Sequence, residues 1–228
     1  MKITEDIARK VVKVVSAGLV AGVGEPTPGK MCVEAAVCYA LGEPHGDRPS
    51  CVHSVVRVFK VALNDGSWSS ATARARGMKR VAVAQLGSTE IDPVCFVQYV
   101  AEQTIKRILP IVLREAGLNE VATRCENEGT SAAAWAAAGV AARAVARAAR
   151  DAAYAAGDAA QDAARAAAGA AAWAAQDAAG NAAYAAGVAA RVKRDKILSL
   201  AAEIAVEALI ICKSEGAQFL SLAGEYQP

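Results

Sequence analysis

The sequence has few aromatic residues, only two histidines and no long uninterrupted apolar run. The histidines and the six cysteines are spaced too irregularly for the closely paired ligands of a tetrahedral zinc site, so no metal or other cofactor is expected. No stretch of about 18 residues is both strongly apolar and free of charge and glycine, which argues against a transmembrane helix. The N-terminal residues include acids and lysines where a signal peptide needs an apolar core, so the predicted compartment is the cytoplasm, with reduced thiols.

The sequence shows helical periodicity along most of its length, and no convincing alternation of the strand type. The pattern therefore predicts an all-α fold. Helices are predicted over 5–20, 28–41, from about 50 to 64, 70–86, 93–116, 120–126 and 193–213. The expected N-caps are Thr27, either Asp47 or Ser50, either Ser69 or Ser70, and Asp92. Pro110 is expected to kink or split the fifth helix, because it has no backbone N–H.

An alanine-rich segment extends from Ser131 to Val192, and more than half of its residues are alanine. It contains no proline and no lysine, and alanine has the highest helix propensity. One straight rod would leave its alanine faces wet, so the segment is predicted to form closely packed helices, with self-association as a possible use of the small-residue faces. The predicted domains are a helical N-terminal domain over 1–128 and an alanine-rich domain over 129–228 that includes the closing helix.

A first set of candidate functional residues lies between Cys32 and His53, where both histidines and half of the cysteines are found. A hydrolase could be built from a carboxylate, an imidazole and a thiol in this region. The residues of this alternative are Glu34, His45, Asp47 and Cys51. The competing interpretation is structural: Glu34 lies on a nearly apolar helix and would pair with Arg57 or Lys60. No residue is assigned a catalytic role on sequence alone.

A second set of candidates is basic, because six cations and only one acid occur between Arg57 and Arg80. Guanidinium groups, a free helix N-terminus and an aromatic face suit a phosphate-bearing ligand. The preferred prediction is therefore a non-enzymatic protein whose basic N-terminal surface binds an anionic partner, either a nucleotide signal or an acidic protein. The competing interpretation is a solvated face that pairs with acids elsewhere. The predicted ligand-binding residues are His45, Asp47, Arg57, Lys60, Trp68, Arg74, Arg76 and Arg80.

Several stretches resemble a family of uncharacterised alanine-rich helical proteins of bacteria and bacteriophages. They are GKMCVEAAVCYALGEPHGDRPSCV, LNDGSWSS, ARGMKRVAVAQLGS and, after the alanine-rich segment, RDKILSLAAEIAVEALI. The resemblance implies a bacterial or phage setting, but it carries no activity and no catalytic residue. The tripeptide DRP, followed by tryptophan and an Ala-Arg-rich helix, is also similar to putative toxin-immunity proteins. A self-assembling structural module remains a further alternative.

Close packing of the alanine-rich segment predicts that its alanine faces tolerate no larger side chain. Leucine at Ala156, Ala163 or Ala174 is expected to lower the melting temperature or change the oligomeric state, because overpacking costs about 1 to 3 kcal/mol. Larger and polar residues recur every three or four positions along the segment, and this stripe is predicted to be the more exposed one. Substitution of Asp158, Asp162 or Asp177, which lie on it, should be nearly neutral. Thermal melts combined with size-exclusion chromatography test this, and equal tolerance at both sets of positions would contradict it.

Overall fold

The computed structural model describes residues 2–115, 117–130 and 194–226. These residues form helices and no strand, so the predicted all-α class is confirmed. The predicted packing of the alanine-rich segment lies outside the described residues. None of the described helices is both long enough and apolar enough to cross a membrane.

The helices follow one another with short connections. They are α1 (Glu5–Ser16), α2 (Val33–Leu41), α3 (Ser54–Asn64), α4 (Ala71–Ala84), α5 (Pro93–Gln103), α6 (Leu109–Glu115), α7 (Asn119–Glu128) and α8 (Arg194–Ile211). A π-helical turn, Thr104–Ile108, joins α5 to α6, and 3-10 turns lie at Ser88–Glu90 and Glu215–Ala223. The sequence did not indicate the last of these turns.

Two predicted N-caps are confirmed. The Ser70 hydroxyl accepts a hydrogen bond from Ala73 N at 3.0 Å, and the Asp92 carboxylate accepts one from Val94 N at 2.9 Å. The predicted irregularity of the fifth helix near Pro110 takes the form of the π-helical turn, and helical backbone continues on both sides of it. Pro110 lies just after the π-helical turn, where a wider turn accommodates a residue that cannot donate a backbone hydrogen bond.

The predicted starts of α2 and α3 are wrong. The chain before α2 is an extended turn, closed by a bridge between Gly24 and Met31, and the Cys32 thiol caps α2 by accepting from Ala35 N at 3.3 Å. Ser50 does not cap α3, because its hydroxyl donates to the Glu43 carboxylate, which also accepts from the Ser50 amide at 3.1 Å. The imidazole of His53 takes that place and accepts from Val55 N at 3.2 Å.

Helix α1 is also shorter than predicted. It ends at Ser16, and Gly18 follows with a φ of 117°, a backbone conformation that a side chain would disfavour. The chain can therefore turn away at this point toward the extended turn that precedes α2.

Helix α8 completes the hydrophobic core formed by the earlier helices. Its side chains Ile197, Ile204 and Leu209 are almost completely buried, in one cluster with residues of α1 to α5. Burying each side chain of this size contributes about 1.5 to 3 kcal/mol, so these three together are comparable to the net stability of a whole domain. The predicted boundary between residues 128 and 129 therefore separates α8 from the helices with which it shares a core.

The α4–α8 contact depends on a glycine beneath a tryptophan. Trp68 is buried, and its indole N–H donates to Leu63 O at 2.9 Å. A Cβ at Gly77 would lie 2.3 Å from the Trp68 ring and 2.9 Å from the Ser199 hydroxyl. The absence of a side chain at Gly77 is thus what lets the indole lie against α4.

Gly77→Ala is expected to destabilise the protein although alanine is the better helix former. The propensity gain is about 1 kcal/mol, whereas overpacking a rigid buried ring costs about 1 to 3 kcal/mol. Urea unfolding measures the difference. Gly46→Ala is the control, because the nearest atom to a Cβ there is 3.9 Å away. A Gly77→Ala protein more stable than wild type would contradict this account.

Candidate functional site

Lys60 does not lie on a basic surface, contrary to the sequence-based expectation. Its side chain is completely buried, and its Nζ lies 2.8 Å from Oε1 of Glu34, which is also completely buried. The structural interpretation of Glu34, a carboxylate paired with Lys60, is confirmed. The sequence placed Lys60 opposite the apolar stripe of α3, but that side of the helix is covered as well, and there Lys60 meets Glu34 of α2.

Three of the predicted arginines are engaged within the fold. Arg74 donates to two backbone carbonyls, Asn64 O at 2.7 Å and Leu19 O at 3.0 Å. Arg80 donates two hydrogen bonds to the Glu203 carboxylate of α8, at 2.9 and 3.0 Å, in a bidentate ion pair. Arg57 lies 3.7 Å from Asp47. These guanidinium groups therefore hold parts of the chain together.

The remaining predicted residues are dispersed. Trp68 is buried against α4 and offers no stacking face to a ligand. His45 is exposed, and its Nε2 lies 3.0 Å from Gly24 O, on the extended turn before α2. Arg76 is exposed and lines a pocket of about 280 Å³ between α4 and α8, together with Lys79 and Arg80. Glu203 and Glu225 lie in the same pocket and offset most of its positive charge.

The four residues of the hydrolase alternative do not share one pocket. Glu34 and Asp47 line a small pocket of about 70 Å³, which contains neither His45 nor Cys51. Burial raises the pKa of the Cys51 thiol, the opposite of what an activated nucleophile requires. Among the described residues, no three His, Cys, Asp or Glu side chains converge as metal ligands.

The Glu34–Lys60 pair is the most unusual electrostatic feature of the described core. Burial raises the pKa of Glu34, with Lys60 opposing the shift, and burial lowers the pKa of Lys60, with Glu34 opposing. The buried amide of Gln85 lies beside Glu34. Lys60 Nζ and Glu34 Oε1 lie within hydrogen-bond distance, so Coulomb attraction and a hydrogen bond both favour the charged forms of the pair. The two charges join α2 to α3.

A pocket that the sequence did not single out lies between α1 and α2. Its volume is about 660 Å³, and its floor consists of apolar residues, among them Val14, Ala40 and Leu41. Lys10 and Lys13 of α1 stand at its edge, and neither forms an ion pair with another described residue. The side chain of Tyr39 in α2 is 49% exposed and lines the same pocket.

A sequence signal for this pocket did exist. Lys10 and Lys13 are three residues apart, a spacing that places two side chains on one helix face, and Tyr39 is the one aromatic residue of α2. What the sequence lacked was the information that α1 and α2 are neighbours.

Comparison of the chain with protein-family models, with curated proteins and with solved structures found no match. The function is therefore inferred from the geometry of the described residues.

Lys60→Met is expected to destabilise the protein by about 3 to 5 kcal/mol, because it leaves the Glu34 carboxylate buried without its cation. The double variant Glu34→Leu/Lys60→Met should recover most of this loss. Urea unfolding of both single variants, the double variant and wild type measures the coupling. Additive losses would contradict the pairing.

The loss of unfolding free energy caused by Lys60→Met, called its deficit below, should also depend on pH. Without Lys60, the pKa of Glu34, already raised above its ordinary value of 4.5 by burial, rises further. A raised folded-state pKa contributes stability below the unfolded-state pKa, and this contribution is lost as the pH rises. The deficit relative to wild type should thus be smaller at about pH 5 than at about pH 8, and a constant deficit would contradict the assignment.

Proposed function

We propose that this protein is a non-enzymatic binding protein for a small organic anion with an aromatic ring, and that the ligand lies in the pocket between α1 and α2. The observation that carries the proposal is that one apolar pocket is lined by an exposed tyrosine and by two lysines that form no ion pair with any described residue. The proposal keeps the anionic partner suggested by the sequence and moves its site from α3 and α4 to α1.

The charge of the pocket favours an anion. Lys10 and Lys13 line it, and its described lining contains no carboxylate. The pocket between α4 and α8 has three cations, but Arg80 is occupied by Glu203, and Glu225 adds a further negative charge. An incoming phosphate would therefore meet less competition beside α1.

The shape and the apolar floor favour a small molecule over an acidic protein. A volume of about 660 Å³ falls within the range of roughly 300 to 1,000 Å³ typical of small-molecule sites. Tyr39 offers a ring face for stacking, and Val14 and Leu41 offer apolar contacts. A nucleoside monophosphate combines the anion and the ring that such a pocket would recognise.

The composition of the lining favours binding over catalysis. The described residues around the pocket include no histidine, cysteine, aspartate or glutamate, so no ordinary general base or thiol nucleophile is present. Two exposed lysines hold an anion by charge, and such contacts weaken as salt screens them.

Lys10→Glu/Lys13→Glu is expected to weaken binding of adenosine monophosphate by at least about tenfold, which corresponds to about 1.4 kcal/mol. Tyr39→Ala should weaken binding of the nucleotide, because stacking on a base contributes about 1 to 3 kcal/mol, and should leave binding of inorganic phosphate unchanged. Isothermal titration calorimetry at low and high salt measures both effects.

The matched control is Arg76→Glu/Lys79→Glu, which makes the same change in net charge at the pocket between α4 and α8. It should leave nucleotide binding nearly unaltered. If only this variant loses binding, the ligand lies at the predicted basic surface beside α4, and the α1–α2 site is wrong. If wild type binds none of the probes, the proposed function itself is wrong.

A further inference from the structure

Two of the six cysteines differ from the others in exposure and in position. All six lie within the described residues, where Cys32, Cys38, Cys51 and Cys125 are buried and only Cys95 and Cys212 are partly exposed. These two accessible thiols are far apart in the sequence. Cys95 lies in the first turn of α5, and Cys212 follows the last residue of α8.

The fold brings these two cysteines close together. The Cys212 Sγ lies 3.9 Å from Asp92 O, the carbonyl of the residue that caps α5 three positions before Cys95, and the Cys95 thiol is near enough to raise the pKa of Cys212. Helices α5 and α8 pack directly against each other, so the contact is part of the tertiary structure. A disulfide needs two cysteines on segments that already lie side by side, which is the situation here.

Both thiols are partly exposed, so a small reagent can approach each of them. Cys212 also lines a pocket of about 650 Å³, together with Thr89, Glu90 and Lys213. Of the remaining cysteines, only Cys51 lines the same pocket, and that residue is buried. The reactivity of a thiol depends on its access to the reagent, so oxidation should be selective for the accessible pair.

We propose that Cys95 and Cys212 form a reversible disulfide that joins α5 to the end of α8 when the protein meets a low-molecular-weight disulfide. This modification site is independent of the anion pocket. The bond would close a loop between residues 95 and 212, which contains the whole alanine-rich segment.

The reaction is an ordinary two-step thiol–disulfide exchange. The Cys95 thiolate attacks one sulfur of oxidised glutathione, which forms a mixed disulfide and releases one reduced glutathione. Cys212 then loses its proton to solvent and attacks the Cys95 sulfur, which forms the protein disulfide and releases the second glutathione. The protein loses two electrons and two protons, and the reagent gains them.

The order of the steps follows from the environment of Cys212. Burial, and then the neighbouring Cys95 thiol, raise the pKa of Cys212 to about 12, so Cys212 is a poor first nucleophile at neutral pH. Once Cys95 is in the mixed disulfide, its contribution to that shift is removed. Cys212 is thereby placed as the second, resolving thiol.

The test is to incubate the native full-length protein with oxidised glutathione and to count thiols with a maleimide after denaturation. The expected result is a fall from six free thiols to four, a mass lower by two hydrogens, and a cross-linked peptide pair that contains Cys95 and Cys212. Dithiothreitol should restore all six thiols.

Cys95→Ser and Cys212→Ser should each abolish the cross-link, whereas Cys125→Ser should retain it. The oxidised protein should also melt about 5 to 15 °C higher than the reduced one, because the bond closes a long loop. Six remaining thiols, a bridge at another pair, a glutathione adduct that persists, or an oxidised protein that melts no higher would each overturn the proposal.

Discussion

A carboxylate buried in a helical core requires a cation beside it, and this requirement constrains how α2, α3 and the end of α4 are placed relative to one another. Glu34 is the single charge of α2, and its burial would be prohibitive without Lys60 of α3. The amide of Gln85, just beyond α4, lies beside the same carboxylate. Three consecutive helical segments thus contribute to one buried polar cluster, and their relative positions are constrained more tightly than apolar packing alone would require.

The other cations of α3 and α4 follow the same principle at the edges of the core. Arg74 donates hydrogen bonds to the carbonyl of Asn64, the last residue of α3, and to the carbonyl of Leu19, shortly after α1. Arg80 binds the carboxylate of Glu203. A run of basic residues that suggests a binding surface in the sequence is therefore largely structural in the fold. Helix α8 follows the alanine-rich segment in the sequence. Its packing on the earlier helices depends on the Arg80–Glu203 contact as well as on its apolar side chains.

The surfaces that remain available are those that the core does not use. On α1, two lysines beside an apolar pocket have no ion-pair partner among the described residues, and two thiols are partly exposed where α5 meets the end of α8. Both features combine residues from segments that the sequence separates. The first suits recognition of an anion through charge and stacking, and the second suits a covalent link between segments that are already in contact.

The sequence by itself determined the helical class, the cap at Asp92, the restriction of another cap to Ser69 or Ser70, and the irregularity near Pro110, because these depend on periodicity and on local hydrogen bonding. It also indicated that Glu34 would pair with a cation of α3. Only the tertiary structure decided that Lys60 is buried, and which pocket has cations but no carboxylate among its described lining residues. The physical reason is that exposure and charge neutralisation depend on which helices meet. A residue such as Arg80 finds Glu203 far along the chain, and no local pattern encodes that meeting.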